Sequence, residues 1–357
     1  MDKLQKPMKQ NFAAHRVFIS SSCNYEHPLV SVVIPTLNRC KALSYLLDSI
    51  AKQTIEPNLF EVIAVDNGSV DSTIDVLDSF VKIMPNIRYY HDPSPGLHVG
   101  RHKGLKEAKT DILVYVDDDS LPTPSWLEGV LDSFIDERVV LVGGKVLPKF
   151  EAPPPFWLQD MWKDNHPEGK VLGYLSIMDF RDQIKEIDPH YVFGCNFAIR
   201  KSILLEAGGF HPDGMPDKLI RFRGDGETYV SNFIQKMGYK ALYNPKASVF
   251  HCIPKERMTV KYFCKRAFNQ GISDSYTDIR TGRKRSAKHF LMRKFKYYIL
   301  KGIGRKIQAD INKSYWNGYQ YHQKEVESDP SLLNWVLKTD YRDIDIKKYC
   351  PDSKAEL

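Results

Sequence analysis

Three consecutive aspartates, Asp117-Asp118-Asp119, close an apolar run, Asp111-Ile-Leu-Val-Tyr-Val116. Adjacent carboxylates repel one another, so the triplet has two readings. One is a solvated acidic turn running into Ser120 and Pro122. The other is a seat for a divalent cation, because on an extended segment Asp117 and Asp119 point to the same side and both can face one ion and the phosphates it carries. A second acidic turn, Asp66-Asn-Gly-Ser69, closes the run Phe60-Glu-Val-Ile-Ala-Val65. Farther on, Gly224-Asp-Gly-Glu-Thr228 sets Asp225 and Glu227 at the start of a helical pattern. Asp225 suits an N-cap there and Glu227 a first-turn carboxylate favoured by the helix dipole. His251 ends a short strand pattern at Ser248-Val-Phe, where a lone histidine is ordinarily structural.

The elements that must hold these groups are legible around them. Leu29-Val-Ser-Val-Val-Ile-Pro35 is a β-branched apolar run ended by proline, which predicts a buried strand. Asn38 is the expected cap of a helix with Leu43, Leu46, Leu47 and Ile50 on one face. Asp71 is expected to open the next helix, with Ile74, Leu77 and Val81 at helical spacing. Strands over 86–91 and 111–116, separated by a helix over 97–108, complete a strand–helix alternation that predicts parallel pairing. Ligands of such sheets bind beyond the carboxyl ends of the strands, here Pro35-Thr36, Asp66-Asn67 and Asp117-Asp118-Asp119. From 140 to 260 the pattern is mixed, with a helix expected from about Gly226 to Met237 and a strand over 247–250. Residues 259–340 read mainly as helix.

Composition narrows the class. The chain has 357 residues, 42% hydrophobic and 27% charged, which excludes wholesale disorder, collagen and coiled coil. No apolar run is long enough to span a bilayer, and Met1–Phe12 lacks a signal pattern, so a cytosolic setting is expected. Six cysteines without a paired spacing argue against a zinc ribbon or a disulfide scaffold. The net charge of +7 is uneven: residues 1–258 hold 30 Lys and Arg against 33 Asp and Glu, and residues 259–357 hold 21 against 11. A uniformly basic nucleic-acid binder would not be built so, and no nucleic-acid partner is expected.

The ordered motifs Val32-Val-Ile-Pro-Thr-Leu-Asn38, Val65-Asp-Asn-Gly-Ser69, Gly100-Arg-His-Lys-Gly104 and Val116-Asp-Asp-Asp-Ser120, followed by Gly194-Cys-Asn196, Gly224-Asp-Gly-Glu227 and His251, resemble the family 2 glycosyltransferases of the GT-A fold. The resemblance covers residues 29–258, between a polar arm (1–28) and a mainly helical basic region (259–357). It implies an α/β fold: a mostly parallel sheet flanked by helices, with a Rossmann-like nucleotide-binding half, a mixed acceptor half and a helical C-terminal extension. It also implies inverting transfer of a sugar from a nucleotide-sugar donor to a hydroxyl of a glycan or lipid-linked glycan, as in cell-surface polysaccharide synthesis.

Site residues follow from the same resemblance. Asp117 and Asp119 with His251 would hold Mn²⁺, or Mg²⁺, and an imidazole in the set favours Mn²⁺. A fixed cation would stabilise the charge on a departing nucleoside diphosphate. Asp66 and Asn67, Pro35, Thr36, Leu37 and Asn38, Arg101 and Asp118 would line the donor pocket, and Asn196 would lie at the donor–acceptor junction. His102 stands where the family usually has asparagine. Inverting transfer needs a base beside the acceptor hydroxyl. Counting back from Gly238 puts Glu227 on the family's catalytic carboxylate, with Asp225 second; the family usually has adjacent Glu-Asp where this chain has Asp225-Gly226-Glu227. Cys195 is not expected to act as a nucleophile. Phe156, Trp157 and Trp162 fit either a sugar-stacking lid or a satellite core.

Other classes fit less well. A sugar-phosphate nucleotidyltransferase or a dinucleotide-dependent dehydrogenase would need a glycine-rich loop after the first strand, where this chain has Pro35-Thr-Leu-Asn-Arg39. An inactive carbohydrate-binding or scaffold protein would not need Asp117, Asp119, Glu227 and His251. In the tail, residues 281–308 hold ten Lys and Arg and no acidic residue, with Leu291, Phe295, Tyr298 and Ile299 at helical spacing. That describes a basic amphipathic helix, either packed on the domain or laid on the anionic inner face of a membrane, with Arg293, Lys294 and Lys296 contributing charge. Gly302 and Gly304 weaken any longer helix there.

Overall fold

The computed structural model describes residues 28–343 and 346–349. Its first half alternates β1 (Val30–Thr36), α1 (Cys40–Ile50), β2 (Phe60–Asp66), α2 (Thr73–Val81), β3 (Ile87–His91), α3 (Leu97–Glu107) and β4 (Ile112–Tyr115). β1 pairs in parallel with both β2 and β4, and β2 with β3. The apolar runs are continuous because both faces of these strands are covered. Val30, Val32 and Ile34 pack into one core with Leu43, Leu46, Leu47 and Ile50 of α1. Val33, Ile63 and Val65 point the other way, into a second core with Leu105 of α3. Gly104 admits that close packing, since a Cβ there would lie 2.1 Å from Val33 Cγ1.

The second half adds β5 (Ser120–Pro122), α4 (Trp126–Ser133), β6 (Val139–Gly143), β7 (Val146–Phe150), α5 (Phe156–Met161), β8 (Lys170–Leu172), β9 (Ile177–Asp179) and β10 (Lys185–Glu186). β11 (Phe197–Arg200), α6 (Lys201–Ala207), α7 (Glu227–Met237), β12 (Lys240–Tyr243) and β13 (Val249–Ile253) follow. The large sheet runs β10-β12-β6-β11-β4-β1-β2-β3, with β11 antiparallel to β4 and β6. A smaller sheet runs β5-β13-β7-β9-β8. The chain leaves the large sheet after β4 and enters the small one at β5, so the three aspartates occupy the step between sheets. β13 pairs with β5 and sets His251 opposite Ser120.

The C-terminal region is helical, as expected: α8 (Val260–Thr281), α9 (Ala287–Gly302), α10 (Lys306–Ser328) and α11 (Pro330–Leu337). α8 and α10 pack backbone to backbone. A Cβ on Gly271 would meet Tyr315 O at 2.0 Å, and one on Gly318 would meet Phe268 O at 2.0 Å. Tyr276, Val326, Leu332, Trp335, Val336 and Tyr341 form a core with Met215, Leu219 and Phe222, the segment just ahead of Gly224. The tail is therefore packed against the elements that carry Asp225 and Glu227. No helix among the described residues is long and apolar enough to cross a membrane. The N-terminal arm lies outside the described residues up to 27.

Two local expectations are corrected. Asn38 does not cap α1; it takes a left-handed conformation, φ 53°, and its Oδ1 accepts the Val70 amide at 2.8 Å. The first amide of α1, Cys40 N, donates instead to Asp71 Oδ2 at 3.0 Å, while Asp71 Oδ1 accepts Thr73 N at 3.1 Å. Nor is Asp117–Asp119 extended. The Ser120 amide donates to Asp117 O at 3.0 Å, closing a turn that sends Asp117 to Arg101 while Asp118 and Asp119 share Arg39.

Candidate active site

Each aspartate of the turn has its own surroundings. Asp119 is buried, and its Oδ2 accepts Arg39 Nη1 at 2.6 Å and Arg257 Nη2 at 2.7 Å. Its Oδ1 is buried without a hydrogen-bond partner and faces His251 Nε2 at 3.2 Å. His251 Nδ1 donates to Leu175 O at 2.8 Å, which leaves Nε2 of the neutral ring as an acceptor; Arg257 Nη1 stands 3.1 Å from it. An orphaned carboxylate oxygen beside an imidazole nitrogen is a donor pair that fits a divalent cation, and its nitrogen suits Mn²⁺.

Asp117 does not join that pair. Among the described residues no group of three His, Cys, Asp or Glu side chains is placed to hold a metal ion, and of the expected set Asp117, Asp119 and His251 it is Asp119 and His251 that are in contact, at 3.2 Å. Asp117 turns toward Arg101, whose Nη2 lies 3.4 Å from Asp117 Oδ1 and whose Nη1 lies 3.3 Å from Glu227 Oε2. Glu227 Oε1 accepts the Gly194 amide at 3.2 Å. The Arg101 side chain is 3% exposed, against 31% for Asp117 and 27% for Glu227, so the carboxylates are the accessible ends of a buried clamp. A Cβ on Gly194 would sit 2.4 Å from Arg101 Nη2, so a side chain there would push the guanidinium out of the clamp.

Asp118 points back into the fold, accepting Thr36 Oγ1 at 2.8 Å and Arg39 Nη1 at 3.0 Å. Burial pushes its carboxyl up to about 7, against the pull of Arg39. Thr36 and Asp118 thus lock the end of β1 to the turn. Leu37 and Asn38 lie exposed just beyond it, and Pro35 lines Gly100, where a Cβ would meet Asn67 Oδ1 at 2.5 Å. Asn67 Nδ2 donates to Asp92 O at 3.1 Å. Asp66 is wholly buried: its Oδ1 accepts Ser69 N at 3.0 Å and its Oδ2 meets His91 Nδ1 at 2.8 Å.

Further residues around the site each have partners of their own. Asp225 is not an N-cap; Gly226 takes that position at φ 55°, with no side-chain capping bond. The Asp225 carboxylate is buried, meeting His211 Nδ1 at 2.7 Å and accepting Thr277 Oγ1 of α8 at 2.7 Å. Asn196 is buried, with Oδ1 accepting Trp126 Nε1 at 2.8 Å and Nδ2 donating to Ala247 O at 2.9 Å, so its amide is engaged within the core. Cys195 is buried and burial pushes its thiol up, which fits the expectation that it is no nucleophile. His102 anchors the tail: Nδ1 donates to Tyr341 O at 3.1 Å and Nε2 accepts Phe210 N at 2.9 Å. Of the aromatics, Trp157 packs edge-on against Phe263 of α8 at 5.0 Å and Trp162 is half-buried against the same core, while Phe156 is exposed.

Sequence alone does not single out Arg39 or Arg257. Arg39 stands at the end of a loop notable only for lacking glycine, and Arg257 follows β13 with no motif around it. Their signal is spatial: both guanidinium groups converge on Asp119 from segments far apart in the chain.

The site lies beyond the carboxyl ends of β1, β2 and β4, where ligands of open α/β sheets bind. The mannosyltransferase PcManGT from Pyrobaculum calidifontis, solved in complex with GDP-Man and Mn²⁺, superposes with a TM-score of 0.51 at 18% identity, covering 85% of this chain and 76% of that one. The fold is of the GT-A type. The model of glycosyl transferase family 2 matches residues 31–208, about half of the chain, and the chain belongs to that family of glycosyltransferases. A glucosyl-dolichyl phosphate glucuronosyltransferase of Haloferax volcanii is 26% identical over 253 residues, 70% of this chain and 77% of its own. A poly(ribitol-phosphate) beta-glucosyltransferase of Bacillus spizizenii is 22% identical over a match that takes in 92% of this chain, tail included, but 52% of its own length.

Proposed function

We propose that the protein is a metal-dependent, inverting glycosyltransferase that takes its sugar from a nucleoside-diphosphate donor and passes it to a hydroxyl of a glycan, in particular a lipid-linked one. The observation that carries the reading is the Asp119–His251 pair. Asp119 Oδ1 has no hydrogen-bond partner and lies 3.2 Å from His251 Nε2, while the Arg257 guanidinium already joins the two residues, so the pair gains a place for a cation when that guanidinium turns to phosphate. Asp119 and His251 would hold Mn²⁺ or Mg²⁺, which would supply charge stabilisation for the departing diphosphate. Arg39 and Arg257 flank the pair, and their guanidinium groups have the donor geometry to bind phosphate oxygens. The ends of β1 and β2, with Asn67 and the exposed Leu37 and Asn38, form the donor's nucleotide side.

Glu227 is the base. As the acceptor oxygen bonds to the anomeric carbon, the bond to the diphosphate breaks and the acceptor proton passes to a Glu227 oxygen. Arg101 and the Gly194 amide fix that carboxylate, so its reach is set before substrate arrives. Inversion follows from a single displacement with base and leaving group on opposite sides. The Haloferax relative's name includes a dolichyl phosphate, and that supports a lipid-linked acceptor here.

The test is metal binding and turnover measured together. Titrating Mn²⁺ by its electron paramagnetic resonance signal in the presence of UDP or GDP should show one site, weakened about tenfold or more in Asp119→Asn and in His251→Ala. Both variants should lose transfer while keeping the circular-dichroism spectrum. Full turnover of the unaltered enzyme in EDTA would overturn the metal assignment, and an α-configured product from an α-configured donor would overturn inversion.

A further inference from the structure

A run of exposed apolar side chains gathers on α9. Leu291, Met292, Phe295, Tyr298, Ile299 and, just past the helix end, Ile303 are 45–69% exposed. At roughly 100° per residue they fall within an arc of about 140°. The same helix leans on α10 through its opposite side, where Arg293 stacks over Trp316 at 5.4 Å and Tyr297 faces Lys313 at 5.9 Å. The apolar stripe therefore faces solvent because the helix is already anchored from behind. Contiguous apolar faces of this kind on a folded protein mark an interaction surface.

Charge identifies the occupant. Residues 281–308 carry ten Lys and Arg without one Asp or Glu. Lys296 falls on one side of the stripe and Lys301 on the other by helical spacing, and both are exposed. Apolar residues in the middle with cations on both sides match an anionic bilayer surface: side chains enter the acyl boundary while lysines snorkel to the headgroups. A protein groove of matching acidity would satisfy the charges but would not need so broad an apolar stripe bordered on both sides.

We propose that α9 is a membrane-docking helix that lies in the interface of an anionic leaflet and tethers the enzyme there by its tail. The tether is independent of donor and metal, so it stands or falls separately from the catalytic reading. Because α8 and α11 bind the tail to the segment before Gly224, docking through α9 holds the acceptor side of the catalytic domain at a fixed relation to the bilayer.

The experiment is sedimentation of the full chain with two kinds of vesicle, at low and at high salt. One is phosphatidylcholine alone; the other adds roughly 30–40% phosphatidylglycerol, enough anionic lipid to attract a basic segment. Binding is expected only to the anionic vesicles, reduced about tenfold or more by high salt. Phe295→Asp with Ile299→Asp, and separately Lys296→Glu with Lys301→Glu, should each lower partitioning by about tenfold or more. All four positions are exposed, so folding should be kept, checked by melting temperature. Phe295→Trp adds a direct readout: its emission should shift to the blue with anionic vesicles and be quenched by brominated acyl chains. Absence of binding at low salt, unchanged partitioning in the aspartate variant, or a tryptophan that stays unquenched would overturn the proposal. So would a concentration-dependent dimer that the aspartate variant abolishes, since the stripe would then be covered by a second copy.

Discussion

Glu227 and Asp225 sit two residues apart and have opposite fates. Gly226 turns the backbone at φ 55°, which swings Asp225 inward to His211 and Thr277 and leaves Glu227 on the accessible side, clamped by Arg101 and Gly194. Their substitutions should separate accordingly. Glu227→Gln keeps size and most hydrogen bonding but cannot take a proton, so transfer should fall by about 10²–10⁴-fold while donor affinity, measured by calorimetry, stays near normal. Asp225→Asn removes a buried charge-assisted pair and should instead lower unfolding free energy by about 1–3 kcal/mol in urea titration, with residual activity in the folded fraction. A stable Asp225→Asn protein without transfer, beside an active Glu227→Gln protein, would reverse the two roles. Spacing alone cannot reveal the partners of Asp225, because Thr277 reaches it from α8, 52 residues on.

At the scale of elements, the fold is legible in the sequence wherever one physical signal dominates. β1, β2 and β4 are buried on both faces, so each is an unbroken apolar run, and α1 and α7 show their stripes. β5, β8 and β9 have three residues each, too few for a period to register, and the small sheet that holds His251 is correspondingly hidden. Three like charges at Asp117–Asp119 suggest an extended, splayed segment, but Thr36, Arg39 and Arg257 engage two of them at close quarters and the segment turns. Glycine shows the same division between local and distant signals. Gly302 and Gly304 weaken the tail helix, and α9 ends at Gly302. Gly271 and Gly318 lie inside helices, where glycine ordinarily costs about 1 kcal/mol relative to alanine, and here they permit backbone contact between α8 and α10. The sign of a substitution decides this: Gly271→Ala and Gly318→Ala should destabilise by about 1–3 kcal/mol despite better helix propensity. A raised melting temperature in either would show that the helices are not so close.

For the molecule as a whole, buried histidines tie the catalytic domain to its tail and make the assembly acid-sensitive. Burial lowers His98 to about 4, His102 to about 3 and His322 to about 4, and burial also lowers His211 despite Asp225. His102 bridges α3 to Tyr341, and His322 of α10 meets Ser275 Oγ of α8 at 2.8 Å. A histidine whose folded pKa is depressed contributes stability that is complete above its unfolded value, about 6.5, and is lost as pH falls toward the folded one. Asp118 works the other way. Raised to about 7, it keeps its proton when folded and releases it when unfolded, so it favours the folded state as pH falls. Three or more protons against one leaves the histidines in control between about pH 6.5 and 4.5, above the range where ordinary carboxylates titrate. The unfolding free energy of the metal-free chain, measured in urea at half-unit steps, should be level above about pH 7 and decline through that window with a net slope of about two to three protons. His102→Asn should lower stability at about pH 7.5 by removing the Tyr341 and Phe210 bonds, and should also flatten the slope by about one proton. A stability that holds or rises from about pH 6.5 to 4.5 would mean that these rings already carry charge in the folded protein.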